Sequence, residues 1–132
     1  MIVIPLINVK LNPLDALLTA VGYRLISLSK SDNDAFLALI ADKTVTLQFA
    51  SNDGVARFYV FRQGVISQHL GVHDAPDLTI TFKDSLTGTK LLAKADIATL
   101  MHAVQDGDMI VAGDYKLMLW FASLAKHLGK LP

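Results

Sequence analysis

The sequence predicts an α+β domain. Three observations carry this reading. Apolar residues recur at spacings of three and four over about 13–41, alternate with polar residues from Thr44, and return to the helical period after Lys83. Turn and cap residues fall at each change of period. The resulting order, αα-ββββ-αα-β-α, segregates helices from strands, as α+β architecture requires. A length of 132 residues suits one domain able to bury its own core. Residues 1–42 read as an N-terminal helical segment and 43–132 as the core.

Each element has a local cause. Asn12-Pro13 is a helix start, since Asn can cap and Pro suits the first helical position. Leu14, Leu17, Leu18, Val21, Leu25 and Leu28 then form one stripe of a helix over about 13–29. Ser31 and Asp34 resemble a capping box for a second helix, about 32–41, that buries Phe36, Leu37 and Ile40. Val45, Leu47 and Phe49 alternate with Thr44, Thr46 and Gln48 in a half-buried strand. Asn52-Asp53-Gly54 turns the chain into a second strand, Val55–Arg62. That strand is apolar on both faces, and Phe58 with Val60 is taken as its core side. Gln63-Gly64 leads to a third strand, Val65–Leu70, and a loop with Pro76 to a fourth, Leu78–Phe82, with the four strands expected as a meander. Asp84 caps a short helix that Gly88 is expected to interrupt, and Asp96 caps another carrying Ile97, Leu100, Met101 and Val104. Met109–Ala112 is a fifth strand, and Gly113-Asp114 starts a final helix reaching about His127.

Composition narrows the function. Lys plus Arg equals Asp plus Glu at 12 each, so nothing steers a phosphate backbone and no nucleic-acid partner is expected. There is no cysteine, which removes disulfides, thiolate metal sites and cysteine nucleophiles. Apolar residues make up 52% and mean hydropathy is +0.43, more than one small core requires. The surplus points to a cavity, an interface or at most peripheral membrane contact. Met1–Ile7 is too short for a secretory or spanning segment, so a cytoplasmic location is expected.

No catalytic or metal constellation emerges. His69 and His73 are four apart, but Gly71 between them takes the segment from strand to loop, away from a helical His-x-x-x-His site. Asp32-Asn-Asp34 lacks the glycine and distant glutamate of a calcium loop. The other aspartate pairs, Asp74/Asp77 and Asp106/Asp108, fall where aspartate caps and turns. No nucleophile elbow, Walker loop or dinucleotide fingerprint occurs. No enzyme activity, cofactor or metal is expected.

The C-terminal third is more informative. In Asp106-Gly-Asp-Met-Ile-Val-Ala-Gly-Asp114, the glycines suit a helix end and a tight strand-to-helix corner, and Asp114 can accept from the next turn's N–H groups. The final helix has an inner stripe of Leu117, Phe121, Leu124 and Leu128, flanked by Met118, Ala125 and Trp120. That arc exceeds the ~100° one core contact needs, so the helix packs on two sides or closes over an apolar ligand.

Ala75-Pro-Asp-Leu-Thr-Ile-Thr-Phe82, the Asp106–Asp114 corner and Leu117–Leu124 occur in an order and spacing that resembles the sterol-carrier-protein type lipid-binding domain over about Thr44–Leu128. The N-terminal helices are more similar to bacterial single-domain members, some of them accessory factors in ubiquinone biosynthesis. The resemblance implies a five-stranded, mostly antiparallel sheet with helices over one face and an apolar tunnel between. It also implies a fatty acyl, sterol-like or isoprenoid ligand and no catalytic residues. From periodicity, the candidate lining residues are Phe58, Val60, Ile80, Phe82, Leu100, Met101, Val104, Met118, Trp120, Phe121 and Leu124. The alternative is an interaction module, a homodimer or part of a biosynthetic complex, with Tyr59, Phe61, Tyr115 and Leu119 in the interface and no ligand.

Overall fold

Asn12 opens the first helix as its sequence context predicts. In the computed structural model, which describes residues 12–129, its side-chain oxygen accepts from the Leu14 and Asp15 N–H groups at 2.9 and 3.3 Å. Helix α1 then runs Pro13–Ser29, followed by α2 (Asp34–Ile40). Strands β1 (Thr44–Ser51), β2 (Ala56–Arg62), β3 (Val65–Leu70) and β4 (Leu78–Phe82) come next. Helices α3 (Ser85–Lys94) and α4 (Ile97–Asp106), strand β5 (Met109–Gly113) and helix α5 (Lys116–Ala125) complete the chain. The apolar run Met1–Ile7 lies outside the described residues.

Asp84 and Asp96 cap α3 and α4 through the Thr87 and Thr99 N–H groups, at 2.7 and 2.8 Å. At α2 the cap is Asn33, which accepts from the Phe36 N–H at 3.1 Å, rather than the expected Ser31. Ser31 is spent on finishing α1, its hydroxyl donating to the Leu28 carbonyl at 2.7 Å. Gly88 does not break α3. It is buried, and a Cβ there would come within 2.7 Å of the Phe82 ring and 3.0 Å of Leu14, so glycine permits close packing of helix on sheet.

The sheet is five-stranded in the order β3-β2-β1-β4-β5. Pairs β1–β2, β2–β3 and β4–β5 are antiparallel. Pair β1–β4 is parallel, with Leu47 opposite Leu78 and Ser51 opposite Phe82. This corrects the expected meander. After β3 the chain crosses over β2 and β1 through residues 71–77, and β4 docks on the far side of β1. Asp77 pins the crossing: its N–H donates to the Thr46 carbonyl at 2.9 Å, and its carboxylate accepts from the Thr46 N–H at 2.8 Å. Gln48 is buried beneath it, donating to the Gly71 carbonyl at 2.9 Å and accepting from the His73 N–H at 2.7 Å.

The helices cover the face carrying Val45, Leu47 and Phe49 of β1, Leu78, Ile80 and Phe82 of β4, and Met109 of β5. The β2 faces are the reverse of the expectation. Tyr59 and Phe61 are 0% and 1% exposed, and Tyr59 donates its hydroxyl to the Leu18 carbonyl of α1. Phe58 and Val60 are half-buried on the opposite face, where Phe58 stacks on His69 at 4.9 Å and meets His73 edge-on at 5.0 Å. The reason is register: Tyr59 pairs with Leu47 and Phe61 with Val45, so they share the core side. Burial pushes the Tyr59 hydroxyl pKa well above the ordinary phenol range.

Candidate functional site

A concavity lies among three helices, away from the sheet. Residues Pro13, Ala16, Leu17 and Ala20 of α1 form one wall. A second consists of Thr89, Leu92, Ala93 and Lys94 of α3 with the following Ala95, and the end of α5 supplies Ala125, Lys126, Leu128 and Gly129. The cleft measures about 860 Å³, within the range of roughly 300–1,000 Å³ typical of small-molecule sites. Five of the thirteen lining residues are alanines, whose short side chains leave the space open. Positions 13, 16, 17 and 20 are spaced as one helical stripe beside the buried Leu14/Leu18/Val21 stripe. That second stripe is the sequence signal for the cleft.

Ala95 shapes the α3 wall. It ends the helix in the left-handed region, φ 48°, ψ 19°, and its N–H donates to the Leu91 carbonyl at 2.8 Å. Arg24 of α1 ties down the other end, its Nε donating to the Leu128 carbonyl at 3.1 Å.

None of the eleven residues expected from periodicity lines this cleft. Ile80, Phe82, Leu100, Met118, Phe121 and Leu124 are in the core. Between α5 and the sheet the space is occupied by rings: Phe121 lies 5.1 Å from Phe49, which stands 5.6 Å from Tyr59 and 6.3 Å from Phe82. Val104 is half-buried against the core, whereas Met101 is 37% exposed and its sulfur meets the Tyr115 hydroxyl at 3.4 Å. Trp120 packs edge-on against Phe61 at 4.8 Å, and its Nε1 donates to the Leu39 carbonyl at 2.9 Å. Of the expected interface residues, Tyr115 and Leu119 are exposed, but Tyr59 and Phe61 are core.

A polar clasp sits at the N-terminal end of α1, where Asn12 precedes Pro13 of the cleft wall. Asp53, in the β1–β2 turn, accepts from the Ser51 hydroxyl, from the Ser85 hydroxyl at 2.7 Å and from the Ser85 N–H at 3.1 Å. The Asn12 amide also donates to the Ser85 oxygen at 2.8 Å. These bonds, the Ser51 one foremost, hold the Asp53 pKa at about 2 against 3.8. A lowered folded pKa gives stability that is fully present above the unfolded value and lost as pH falls through the folded one. Melting temperatures of the parent and Asp53→Ala should therefore differ most above pH 4 and converge as pH falls toward 2. A gap that stays constant over that range would show that the carboxylate charge is not what matters. Among the described residues, no group of three or more His, Asp or Glu could hold a metal, and no helix is long and apolar enough to cross a membrane.

The sequence matches no family profile and no curated protein. Solved structures do match, among them several sterol carrier protein 2 domains and a part, 14%, of the chain of the sec-alkylsulfatase Pisa1 from Pseudomonas sp., which superposes with a TM-score of 0.54 at 24% identity over 70% of this chain. The ubiquinone synthesis protein UbiJ-SCP2 superposes with a TM-score of 0.64 at 16% identity, over 86% of this chain and 96% of that one. A crystal structure of sterol carrier protein 2 gives 0.59 at 16% identity, over 89% and 96%. The sterol carrier protein domain 2 of Helicoverpa armigera gives 0.56 at 14% identity, over 94% and 96%. At such identities the likeness is one of architecture, and it agrees with the strands, corner and closing helix on which the sequence resemblance rests. The chain carries the sterol carrier protein 2 fold.

Proposed function

We propose that this protein binds one hydrophobic small molecule in the cleft between α1, α3 and the end of α5, and presents it to enzymes or membranes without transforming it. The observation carrying this reading is the cleft itself: about 860 Å³, walled mainly by Ala, Leu and Pro. Burial of a chain there is worth about 0.8 kcal/mol per CH₂, which favours long acyl or isoprenoid tails and discriminates weakly among them. The names of the similar structures, a ubiquinone synthesis protein and sterol carrier proteins, support a fatty acyl, sterol-like or isoprenoid ligand. The interaction-module reading is weaker, because Tyr59 and Phe61 are committed to the core.

Native mass spectrometry with C12–C18 fatty acids, hexadecanol and a short-chain quinone tests this. A one-to-one complex is expected with at least one of them. Ala20→Trp, which fills the cleft from the α1 wall, should weaken that complex at least ~10-fold by displacing the tail. No complex with any ligand, or one that Ala20→Trp leaves unchanged, would remove the cleft from the function. Trp120 lies outside the cleft walls, so its emission reports folding better than binding.

A further inference from the structure

The run Met1–Ile7 is apolar throughout. It is too short to cross a membrane, and its side chains forfeit their burial energy if they stay in water. Pro5 and the β-branched Ile2, Val3, Ile4 and Ile7 oppose a helix there and favour extended chain. The described chain begins at the cleft. Asn12 has extended backbone, φ −78° and ψ 122°, and the next residue, Pro13, is the first of the α1 wall. The Asn12 amide donates to the Ser85 hydroxyl oxygen at 2.8 Å, and Ser85 is the first residue of α3, the helix of the facing wall. Residues 1–11 therefore leave the fold from a fixed point, where α1 and α3 both start.

Length and chemistry both suit a return into the cleft. The α1 wall, Pro13 to Ala20, rises only about 10 Å. Asn8–Leu11 can turn the chain back, a common connection length, which leaves Ile2–Ile7, about 20 Å of extended chain, to follow that wall. Lys10, the only charged residue of the segment, falls in the turn, so no charge has to enter. Pro13, Ala16 and Ala93 are apolar and exposed along the walls, and the alanines leave room for branched side chains. We infer that Met1–Ile7 folds back into the cleft and occupies it when no ligand is bound, so that a ligand enters by displacing the chain's own segment. This rests on the lipid-binding reading of the site above and adds its regulation. A short tether gives the segment an effective concentration in the millimolar range, so modest apolar contacts keep the cleft closed. The apparent affinity of any ligand is then reduced by the fraction of molecules that stand open.

The chain has no cysteine, so one introduced thiol pair reports one contact. Ile4→Cys/Ala93→Cys joins the segment to the α3 wall. Ile4→Cys/Ala112→Cys is the control, since Ala112 is exposed on β5 and outside the lining. With diamide as oxidant and dilute protein, the first pair is expected to close within one chain at least ~10-fold faster than the control, as a seated segment requires. Adding Ile2→Asp/Leu6→Asp should slow the first pair to the control rate, because carboxylates do not enter an apolar cleft unpaired. In the full chain without introduced thiols, Ile2→Asp/Leu6→Asp should tighten hexadecanol binding about 10-fold by opening the cleft. Equal rates for the two pairs, a rate that Ile2→Asp/Leu6→Asp leaves unchanged, or a disulfide formed between two chains overturns the seat. Hexadecanol binding that Ile2→Asp/Leu6→Asp does not alter overturns it too, and leaves the lipid-binding reading standing. Fast closure with no hexadecanol complex in either the parent or Ile2→Asp/Leu6→Asp upholds the seat and removes the lipid-binding reading.

Discussion

Gly113→Ala is expected to cost about 3–5 kcal/mol, the sum of a strained backbone and an overlap that cannot relax. Gly113 has φ +112°, outside the ordinary range of L side chains. A Cβ there would fall on the Asp77 carbonyl oxygen and 3.1 Å from the Leu78 Cα. Both are backbone atoms, so no rotamer change makes room. Moving them would break the Asp114 N–H bond to the Asp77 carbonyl at 3.1 Å and disturb the anchor of Asp77 on Thr46. The control is Gly54→Ala, where φ is +104° but nothing lies within 4 Å of a Cβ. That variant carries the backbone strain alone, roughly 1–3 kcal/mol. Urea denaturation of both variants measures the difference. Equal losses would mean that the close approach at Asp77 contributes nothing.

Phe121→Ala should destabilise by ~3–5 kcal/mol, the usual range for emptying a phenyl-sized site in a core that cannot collapse. Phe121 is 2% exposed and packs on Phe49, the ring that joins Tyr59 to Phe82. Removing it empties the ring contact between α5 and β1. Trp120, one residue away and against Phe61, gives the optical signal of unfolding. Met101→Ala is the companion variant. Its partly exposed side chain should cost under ~0.5 kcal/mol, as for surface substitutions generally. A Phe121→Ala loss below about 1 kcal/mol would contradict the packed aromatic centre and revive a ligand space between α5 and the sheet.

Much of the architecture could be read from local chemistry. Asn12, Asp84 and Asp96 each sit before an apolar helical period, and each caps. Gly107 and Gly113 both take positive φ, as the C-terminal corner requires. Strand β2 gives no local sign of which face is buried, because Phe58, Tyr59, Val60 and Phe61 carry no alternation. The information lay in its partner: β1 alternates clearly, and the turn between them sets which β2 residues face its core side. The β1–β4 pairing had no local signal, since a seven-residue connection fits a hairpin loop as well as a crossing over two strands. The cleft was hidden for a different reason. Its walls come from three helices distant in sequence, and the residues that open it are alanines, which add no large apolar side chain to a stripe.

The parallel pairing of β1 with β4 also sets the order in which this sheet can assemble. Strands β1, β2 and β3 are joined by short turns and can zip as two hairpins at small loop-closure cost. Leu47 meets Leu78 only when 31 positions of chain have been brought round, and Phe82 meets Met109 only after α3 and α4 are in place. Folding is therefore governed by non-local contacts and belongs to the slower, mixed α/β regime. Until β4 arrives, one edge of β1 has unpaired backbone groups in a strand carrying Val45, Leu47 and Phe49, a template on which a second chain could pair. The crossing at 71–77, clamped by Asp77 and Gln48, holds β4 close to that edge. It thus keeps the step within one molecule and guards against aggregation while the chain folds.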